Sequence, residues 1–232
     1  MPSFNEIYKS HADFYNDFIQ YHDIEQNLSK KIHSLVDFKN KNVIEAGIGT
    51  GRLTKIYVDK VNSVTAFDLN SSMWDYGKKN LLNHLDKINF NVSDNLSLPV
   101  LDKKHDIFLQ GWSFGHSIID NSDSLDSTIS KLIYNSQSSL NNTGAIILIE
   151  TMGTNVDEAS PPLEKLAYFY DKLINELEFD QHIIEMNYNF PNKKIAKEML
   201  GFFFGEDFVN NTKPITSNFV PEFAGIWVKH LK

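Results

Sequence analysis

Three glycines at alternate positions mark the part of the chain whose chemistry is easiest to read. A short β-branched run precedes Gly47, Gly49 and Gly51, and an amphipathic stretch begins at Leu53. This order predicts a strand, a tight turn and a helix. Glycine lets a ligand approach the backbone closely, and the following helix directs free N–H groups at that ligand. We therefore predict a nucleotide-type binding site at residues 43–54.

The spacing of these glycines separates two classes of ligand. Dinucleotide sites use G-x-G-x-x-G, whereas this chain has G-x-G-x-G, with Arg52 where the third glycine would fall. Glu45 adds a negative charge where a pyrophosphate would sit, so a cationic, phosphate-free nucleoside fits better. On these residues the chain resembles the class I S-adenosylmethionine-dependent methyltransferases of small-molecule type, whose first motif has this acidic residue and glycine pattern.

The resemblance implies further cofactor contacts where later strands end. Asp68 follows the glycines by about 20 positions, where an acidic residue accepts the ribose hydroxyls. Asp94 matches the residue that meets the adenine amino group. Two structural roles stay open, a helix cap for Asp68 and a turn residue for Asp94. The full set of cofactor-binding residues that we predict is Tyr15, Glu45, Ala46, Gly47, Gly49, Gly51, Asp68, Leu69, Met73, Asp94, Asn95, Leu96, Gln110, Gly111 and Trp112.

Three side chains are candidates for catalysis. His116 follows the predicted fourth strand and is a candidate general base, because its ordinary pKa lies near neutrality. Glu150 ends the predicted fifth strand, where it would orient a substrate amine or act as a base. Tyr15 lies in an N-terminal segment that resembles the family's cofactor-covering segment. Each also has a structural explanation: a surface histidine, an acidic strand end, and an aromatic residue packed with Phe18 on one helix face.

The remaining pattern alternates between helical and strand periodicity. We predict two helices between Phe4 and Phe38, a helix over 126–140 closed by a turn at 141–144, and a buried strand over 145–149. The expected fold is α/β, a Rossmann-like, doubly wound, mostly parallel seven-stranded sheet with helices on both faces. A single domain spans 1–232, with N-terminal cap helices in 1–38 and an inserted lid helix in 154–178. The resemblance implies that the last two strands are antiparallel.

Composition excludes several classes of site. None of the 232 residues is cysteine, so disulfides, thiolate zinc sites and a cysteine nucleophile are excluded, and we expect no metal. A net charge of -8 argues against a sequence-independent grip on nucleic acid. The N-terminus lacks the pattern of a signal peptide, and no apolar run approaches the roughly 18 residues of a membrane span. We expect a cytoplasmic protein without nucleic acid or membrane partners.

These residues together predict a methyltransferase that moves a methyl group from S-adenosylmethionine to an oxygen or nitrogen atom of a small molecule. S-adenosylhomocysteine is then the product, and the protein is a monomer or homodimer. Three alternatives stay open: a non-catalytic S-adenosylmethionine-binding module, a macromolecule methyltransferase, and an NAD(P)-dependent oxidoreductase. The last would have to tolerate Arg52 and Glu45 beside phosphates.

Overall fold

A seven-stranded sheet forms the centre of the molecule, for which a computed structural model describes residues 4–211 and 213–232. Its strand order is β3-β2-β1-β4-β5-β9-β6, with β9 antiparallel to both of its neighbours. This confirms the mostly parallel sheet and the antiparallel last pair. The strands, including a separate β7-β8 ribbon, are β1 (Asn42–Ala46), β2 (Ser63–Asp68), β3 (Ile88–Val92), β4 (His105–Gly111), β5 (Leu140–Thr154), β6 (Asp180–Glu185), β7 (Tyr188–Asn189), β8 (Phe219–Val220) and β9 (Glu222–His230).

Helices cover both faces of the sheet, as predicted. They are α1 (Phe4–Ser10), α2 (Ala12–Ile19), α3 (Asn27–Leu35), α4 (Thr54–Tyr57), α5 (Ser71–Asn80), α6 (Phe114–Asp120), α7 (Leu125–Ser138), α8 (Glu164–Asn175), α9 (Lys193–Phe204) and α10 (Glu206–Asn211). Side chains of α3, α4 and α5 pack on one face, and those of α6, α7 and α8 pack on the other. Among the helices of the described residues, none is both long enough and apolar enough to cross a membrane.

The apolar run of β5 explains why this strand lies inside the sheet. Ile147 and Ile149 join the core beneath α3, α4 and α5, whereas Ile146 and Leu148 join the core beneath α6, α7 and α8. All four side chains are fully buried. A parallel strand covered by helices on both faces must be apolar at every position, which is the pattern that the sequence shows.

Two predicted boundaries are wrong. The residues before β1 form three helices, not two, and α3 packs its Leu28 and Ile32 into the main core instead of joining the cap. The predicted turn at 141–144 is the start of β5. Gly144 allows a close backbone approach there, because a Cβ would lie 3.1 Å from the carbonyl oxygen of Asp106.

A second, smaller layer lies over the carboxyl ends of the parallel strands. We call it the cover; it consists of α1, α2, α9, α10 and the β7-β8 ribbon. Its own core includes Phe18, Tyr188 and Phe190. Ser72 on α5 donates its hydroxyl to the Tyr8 carbonyl oxygen at 2.9 Å, so α1 is tied directly to the main sheet layers. The cover therefore encloses the edge where open α/β sheets bind ligands.

Removing apolar volume from the central strand should destabilise the protein strongly. We expect Leu148→Ala to lower the free energy of unfolding by about 2–5 kcal/mol, because the side chain is fully buried and leaves a cavity. Urea denaturation measures the change. Leu82→Ala is the matched control, since Leu82 is 69% exposed and should change stability by less than about 0.5 kcal/mol. Equal effects of the two variants would contradict the assignment of β5 to the core.

Candidate methyltransferase site

The glycine turn after β1 adopts a backbone that other residues rarely tolerate. Gly47, Gly49 and Gly51 have φ angles of 75°, 54° and 79°. A Cβ on Gly47 would lie 2.6 Å from the Cβ of Ser113, so the turn packs tightly against the segment after β4. A Cβ on Gly49 would meet nothing closer than the Met73 Cε at 3.6 Å. The middle of the turn is therefore the part with room for a ligand.

Asp68 ends β2 directly beside this turn. Its Oδ2 accepts a hydrogen bond from the Gly49 N–H at 2.8 Å, and its Oδ1 accepts one from the Asn70 N–H at 2.8 Å. Burial raises the pKa of the carboxyl, and the backbone donors oppose that rise. Leu69, the next residue, is 56% exposed. The two donors hold the carboxylate in one orientation at the place where the ribose is expected.

The segment after β3 shows Asp94 as a turn residue, and its contact with adenine stays a prediction. Asp94 is exposed, and its Oδ1 accepts a hydrogen bond from the Leu96 N–H at 2.7 Å, which starts a short 3-10 turn. Its Oδ2 accepts no hydrogen bond from any described residue. The neighbouring Asn95 donates its Nδ2 to the Ser113 carbonyl oxygen at 3.3 Å. The free oxygen leaves Asp94 able to accept from an adenine amino group.

Gln110 and Glu45 have internal partners instead of an open face. The Gln110 Oε1 accepts from the Ser113 N–H and hydroxyl at 3.2 and 3.0 Å. Glu45 is buried, and its Oε2 accepts from the hydroxyls of Thr54, at 2.7 Å, and Tyr57, whereas its Oε1 has no hydrogen-bond partner among the described residues. Burial raises the pKa of Glu45 to about 7. Through its Oε2 the Glu45 carboxyl fastens α4 to β1, and its contact with the cationic groups of the ligand stays a prediction.

A cavity of ≈ 520 Å³ lies between the cover and the sheet edge over β4, β5 and β9. Tyr15, Trp112, His116 and Glu150, which the sequence could not place relative to one another, all line it. The glycine turn, Asp68 and Asp94 do not. Its apolar walls come mainly from the cover and from the region of α8, and include Phe4, Phe18, Leu163, Leu166, Phe203 and Phe204. The site therefore has two parts, one over β3, β2 and β1 and one over β4, β5 and β9.

His116 on α6 meets the cover through Tyr8. The Tyr8 hydroxyl lies 3.0 Å from the His116 Nε2. Burial lowers the pKa of His116, so the imidazole is neutral at pH 7. From the sequence we predict Tyr15, and not Tyr8, as a cofactor-binding and catalytic residue, although the two residues share a helical spacing. Their rings contact each other edge to face at 5.6 Å between centroids, so both belong to the cavity wall.

Glu150 lies inside β5, not at its end as predicted, because the strand continues to Thr154. The Glu150 Oε1 accepts from the Gly115 N–H at 2.8 Å and from the Gln110 Nε2 at 3.2 Å. Burial raises the pKa of Glu150 to about 7, opposed by these donors. A Cβ on Gly115 would lie 2.8 Å from the Glu150 Oε2, so a larger residue there would displace the carboxylate.

Arg52, the only arginine of the chain, lies on the cavity wall. Its guanidinium stands 4.3 Å from the centre of the Trp112 ring, and its Nη2 donates to the His22 Nδ1 at 2.6 Å. Burial and the nearby Arg52 lower the pKa of His22, which is therefore neutral at pH 7. The His22 Nε2 lies 3.5 Å from the Oε1 of Glu222. Sequence reasoning missed His22 and Glu222, because they are 200 positions apart and share no motif.

Residues 43–131 match a family model described as a methyltransferase domain. Residues 43–131 therefore carry a methyltransferase domain. We predict S-adenosylmethionine as its cofactor, from the glycine turn and Asp68 within the matched residues. A matched curated relative is the ribosomal RNA small subunit methyltransferase A of Mycoplasmopsis pulmonis, at 44% identity over 50 residues. That match covers 22% of this chain and 20% of the relative, so the chain aligns with about a fifth of that protein.

Solved structures share the fold of this chain over most of its length. DhpI in complex with SAH matches at a TM-score of 0.59 and 13% identity, covering 97% of this chain and 94% of DhpI. A proposed methyltransferase of Bacillus halodurans C-125 matches at a TM-score of 0.57 and 13% identity. The match covers 86% of this chain and 96% of that protein. A proposed RNA methyltransferase of Pyrococcus horikoshii matches at a TM-score of 0.55 and 15% identity. The match covers 92% of this chain and 88% of that protein.

The described residues of the methyltransferase domain fit this cofactor. The middle glycine of the turn has open space before it, and Asp68 presents a fixed carboxylate beside it. Asp94 keeps one free oxygen at the next strand end. We predict that Asp68 holds the ribose, Asp94 the adenine amino group, and Tyr15 and Trp112 the methionine end. Trp112 has a φ of 53°, which is unusual for a bulky residue and is typical of positions held for function.

The ribose role of Asp68 is testable by substitution. We expect Asp68→Ala to weaken S-adenosylmethionine binding by about 10- to 100-fold, because a hydrogen bond to a charged group contributes about 1.5–3 kcal/mol. Isothermal titration calorimetry measures the affinity. Asp68→Asn removes the charge but keeps the size of the side chain, so it separates these two effects. Asp123→Ala, at an exposed position, is the matched control. Unchanged affinity in Asp68→Ala would exclude the ribose role.

The buried Glu45 should make stability depend on pH. Its pKa in the folded protein is about 7, above the ordinary value of 4.5, so the native state binds the proton more tightly. The free energy of unfolding should therefore fall as pH rises from 4.5 to 7. Glu45→Gln should remove about 3 kcal/mol of that fall, measured by denaturation at several pH values. Exposed Glu158→Gln is the control, and parallel profiles of wild type and Glu45→Gln would contradict the prediction.

Proposed function

We propose that this chain transfers the methyl group of S-adenosylmethionine to an oxygen or nitrogen atom of a small molecule, within one domain spanning 1–232. The observation that carries the proposal is the ≈ 520 Å³ cavity beside the expected cofactor position. Tyr15, Trp112, His116 and Glu150 line this cavity together, and its other walls are largely apolar. Such a space suits an acceptor of drug-like size or smaller.

Methyl transfer places modest demands on protein side chains. When bound, S-adenosylmethionine supplies an electrophilic methyl carbon, which an acceptor lone pair attacks in line as the carbon–sulfur bond breaks. The protein must orient the acceptor and exclude water. Tyr8 and the α9 residues Phe203 and Phe204 line the cavity on the side of the cover, where their rings reduce the room for water. The neutral His116 imidazole and Glu150 are the two groups able to accept a proton from the acceptor.

An RNA acceptor is the second candidate, favoured by the match to a ribosomal RNA methyltransferase. Three observations favour the small molecule instead. The cavity is bounded by the cover, the net charge is -8, and the only arginine lies inside the cavity, not on an outer surface. Proteins that hold RNA need cations along the phosphate backbone. As parts of the same proposal, we place the protein in the cytoplasm as a monomer or homodimer.

Transfer of a labelled methyl group distinguishes the two acceptors. We expect purified protein with S-adenosylmethionine labelled in the methyl group to label small molecules from a cell extract, and to leave total cellular RNA unlabelled. Chromatography separates the two fractions after the reaction. The Asp68→Ala variant is the negative control, because it should lose the cofactor. Label in RNA but not in the small-molecule fraction would replace the small-molecule proposal with the RNA candidate.

A further inference from the structure

We infer that the acceptor is an amine, held as an ammonium against the free carboxylate oxygen of Glu150 and the aromatic rings of the cover. The inference rests on the methyl transfer proposed above and narrows its acceptor class. It assigns Glu150 as the group that binds the amine and removes its proton.

The two oxygens of Glu150 have different surroundings. Oε1 accepts from both the Gly115 N–H and the Gln110 side-chain amide, at 2.8 and 3.2 Å. Oε2 accepts no hydrogen bond from the residues that the structure describes, and Glu150 lines the cavity. A carboxylate oxygen without a protein donor keeps its lone pairs available to a ligand. The cavity therefore presents a hydrogen-bond acceptor at this position.

The groups that stabilise the Glu150 carboxylate are neutral amides. The only arginine, Arg52, lies on the side of the glycine turn and pairs with Trp112 and His22. Glu150 lies on β5, which is separated from β1 by β4. Among the described residues that line the cavity, no lysine is present, and His22 and His116 are neutral at pH 7 because burial lowers the pKa of each. A positively charged ligand supplies the counter-ion that Glu150 lacks.

Aromatic rings close the same end of the cavity. Phe4 and Tyr8 contact the His116 ring at 5.1 and 5.5 Å between centroids. Tyr15 packs against Tyr8, and Phe203 packs against Phe4 at 5.3 Å. Ring faces attract cations, and desolvated ammonium groups gain most from this attraction. A hydroxyl acceptor would gain neither the ion pair nor the cation–π contact, so the observations favour the amine.

The proposed chemistry balances. The ammonium transfers one proton to the Glu150 carboxylate, which leaves a neutral amine with a free lone pair. That lone pair forms the bond to the methyl carbon as the carbon–sulfur bond breaks, and the electron pair of the broken bond stays on sulfur. The methylated amine leaves as an ammonium, and Glu150 later releases its proton to water. Burial raises the pKa of Glu150 to about 7, so its carboxyl can both accept and release a proton near neutrality.

Binding to the product-loaded protein tests the inference without turnover. The protein, saturated with S-adenosylhomocysteine, is titrated in a calorimeter with 2-phenylethylamine, 2-phenylethanol and 3-phenylpropanoate. These probes share a benzene ring and a short chain but differ in charge. We expect the amine to bind at least about tenfold more tightly than the alcohol, and the carboxylate to bind most weakly.

Glu150→Gln should abolish this preference, so that amine and alcohol bind with similar affinity. Its affinity for S-adenosylhomocysteine should stay unchanged, which also shows that the variant is folded. Glu158→Gln, an exposed substitution of the same chemistry, should keep the wild-type preference. A labelled-methyl assay on the amine then locates the transferred group on nitrogen.

Three results would overturn the inference. The alcohol or the carboxylate binds as tightly as the amine, the amine shows no binding in the millimolar range, or Glu150→Gln weakens S-adenosylhomocysteine and leaves amine preference intact. The last result would assign Glu150 to the ammonium of the cofactor. Failure of the proposed function is a separate observation, since it would appear as no binding of S-adenosylhomocysteine before any probe is added.

Discussion

The cost of removing carboxyl groups from water governs the functional edge of this protein. Parallel strands bring their carboxyl ends to one edge, and here that edge carries Glu45, Asp68, Glu150 and Glu222. Burial raises the pKa of each. A buried carboxyl persists only where donors surround it. Each of the four has such donors, and together these bonds tie the sheet to α4, the glycine turn, α6 and β5.

These hydrogen bonds also affect ligand binding, because the carboxyl groups that they hold differ in their position relative to the cavity. Glu45 and Glu150 are each held through one oxygen, Glu45 by two hydroxyls beneath the turn and Glu150 by amide donors, but only Glu150 lines the cavity. The donors to Asp68 belong to the turn itself, which couples the position of the carboxylate to the glycine backbone. The position of each carboxyl relative to the cavity, and not its residue type, thus determines what it can contact.

The sequence predicted the parts of the site that are local in the chain. The glycine turn and Asp68 share a fixed spacing, and the apolar run of β5 required a central strand, so the fold followed from short-range pattern. The pair formed by His22 and Glu222 could not be predicted, because only the antiparallel β9 and the cover bring them together. Periodicity likewise could not show that α3 packs on the sheet, since a helix in the cap and a helix on a face have the same apolar spacing.

The position of the cover bears most directly on the choice of acceptor. Residues of α1 bond to both sides of the site, since the Tyr8 carbonyl oxygen accepts from Ser72 and the Tyr8 hydroxyl contacts His116. An acceptor that enters must therefore fit beneath α1 or displace it. Displacing α1 would break both hydrogen bonds and expose the aromatic rings to water. A small molecule avoids this cost because it fits beneath α1, whereas a folded RNA does not. Because the ring cluster that contacts α1 also completes the wall beside Glu150, one element both limits acceptor size and favours a cationic acceptor.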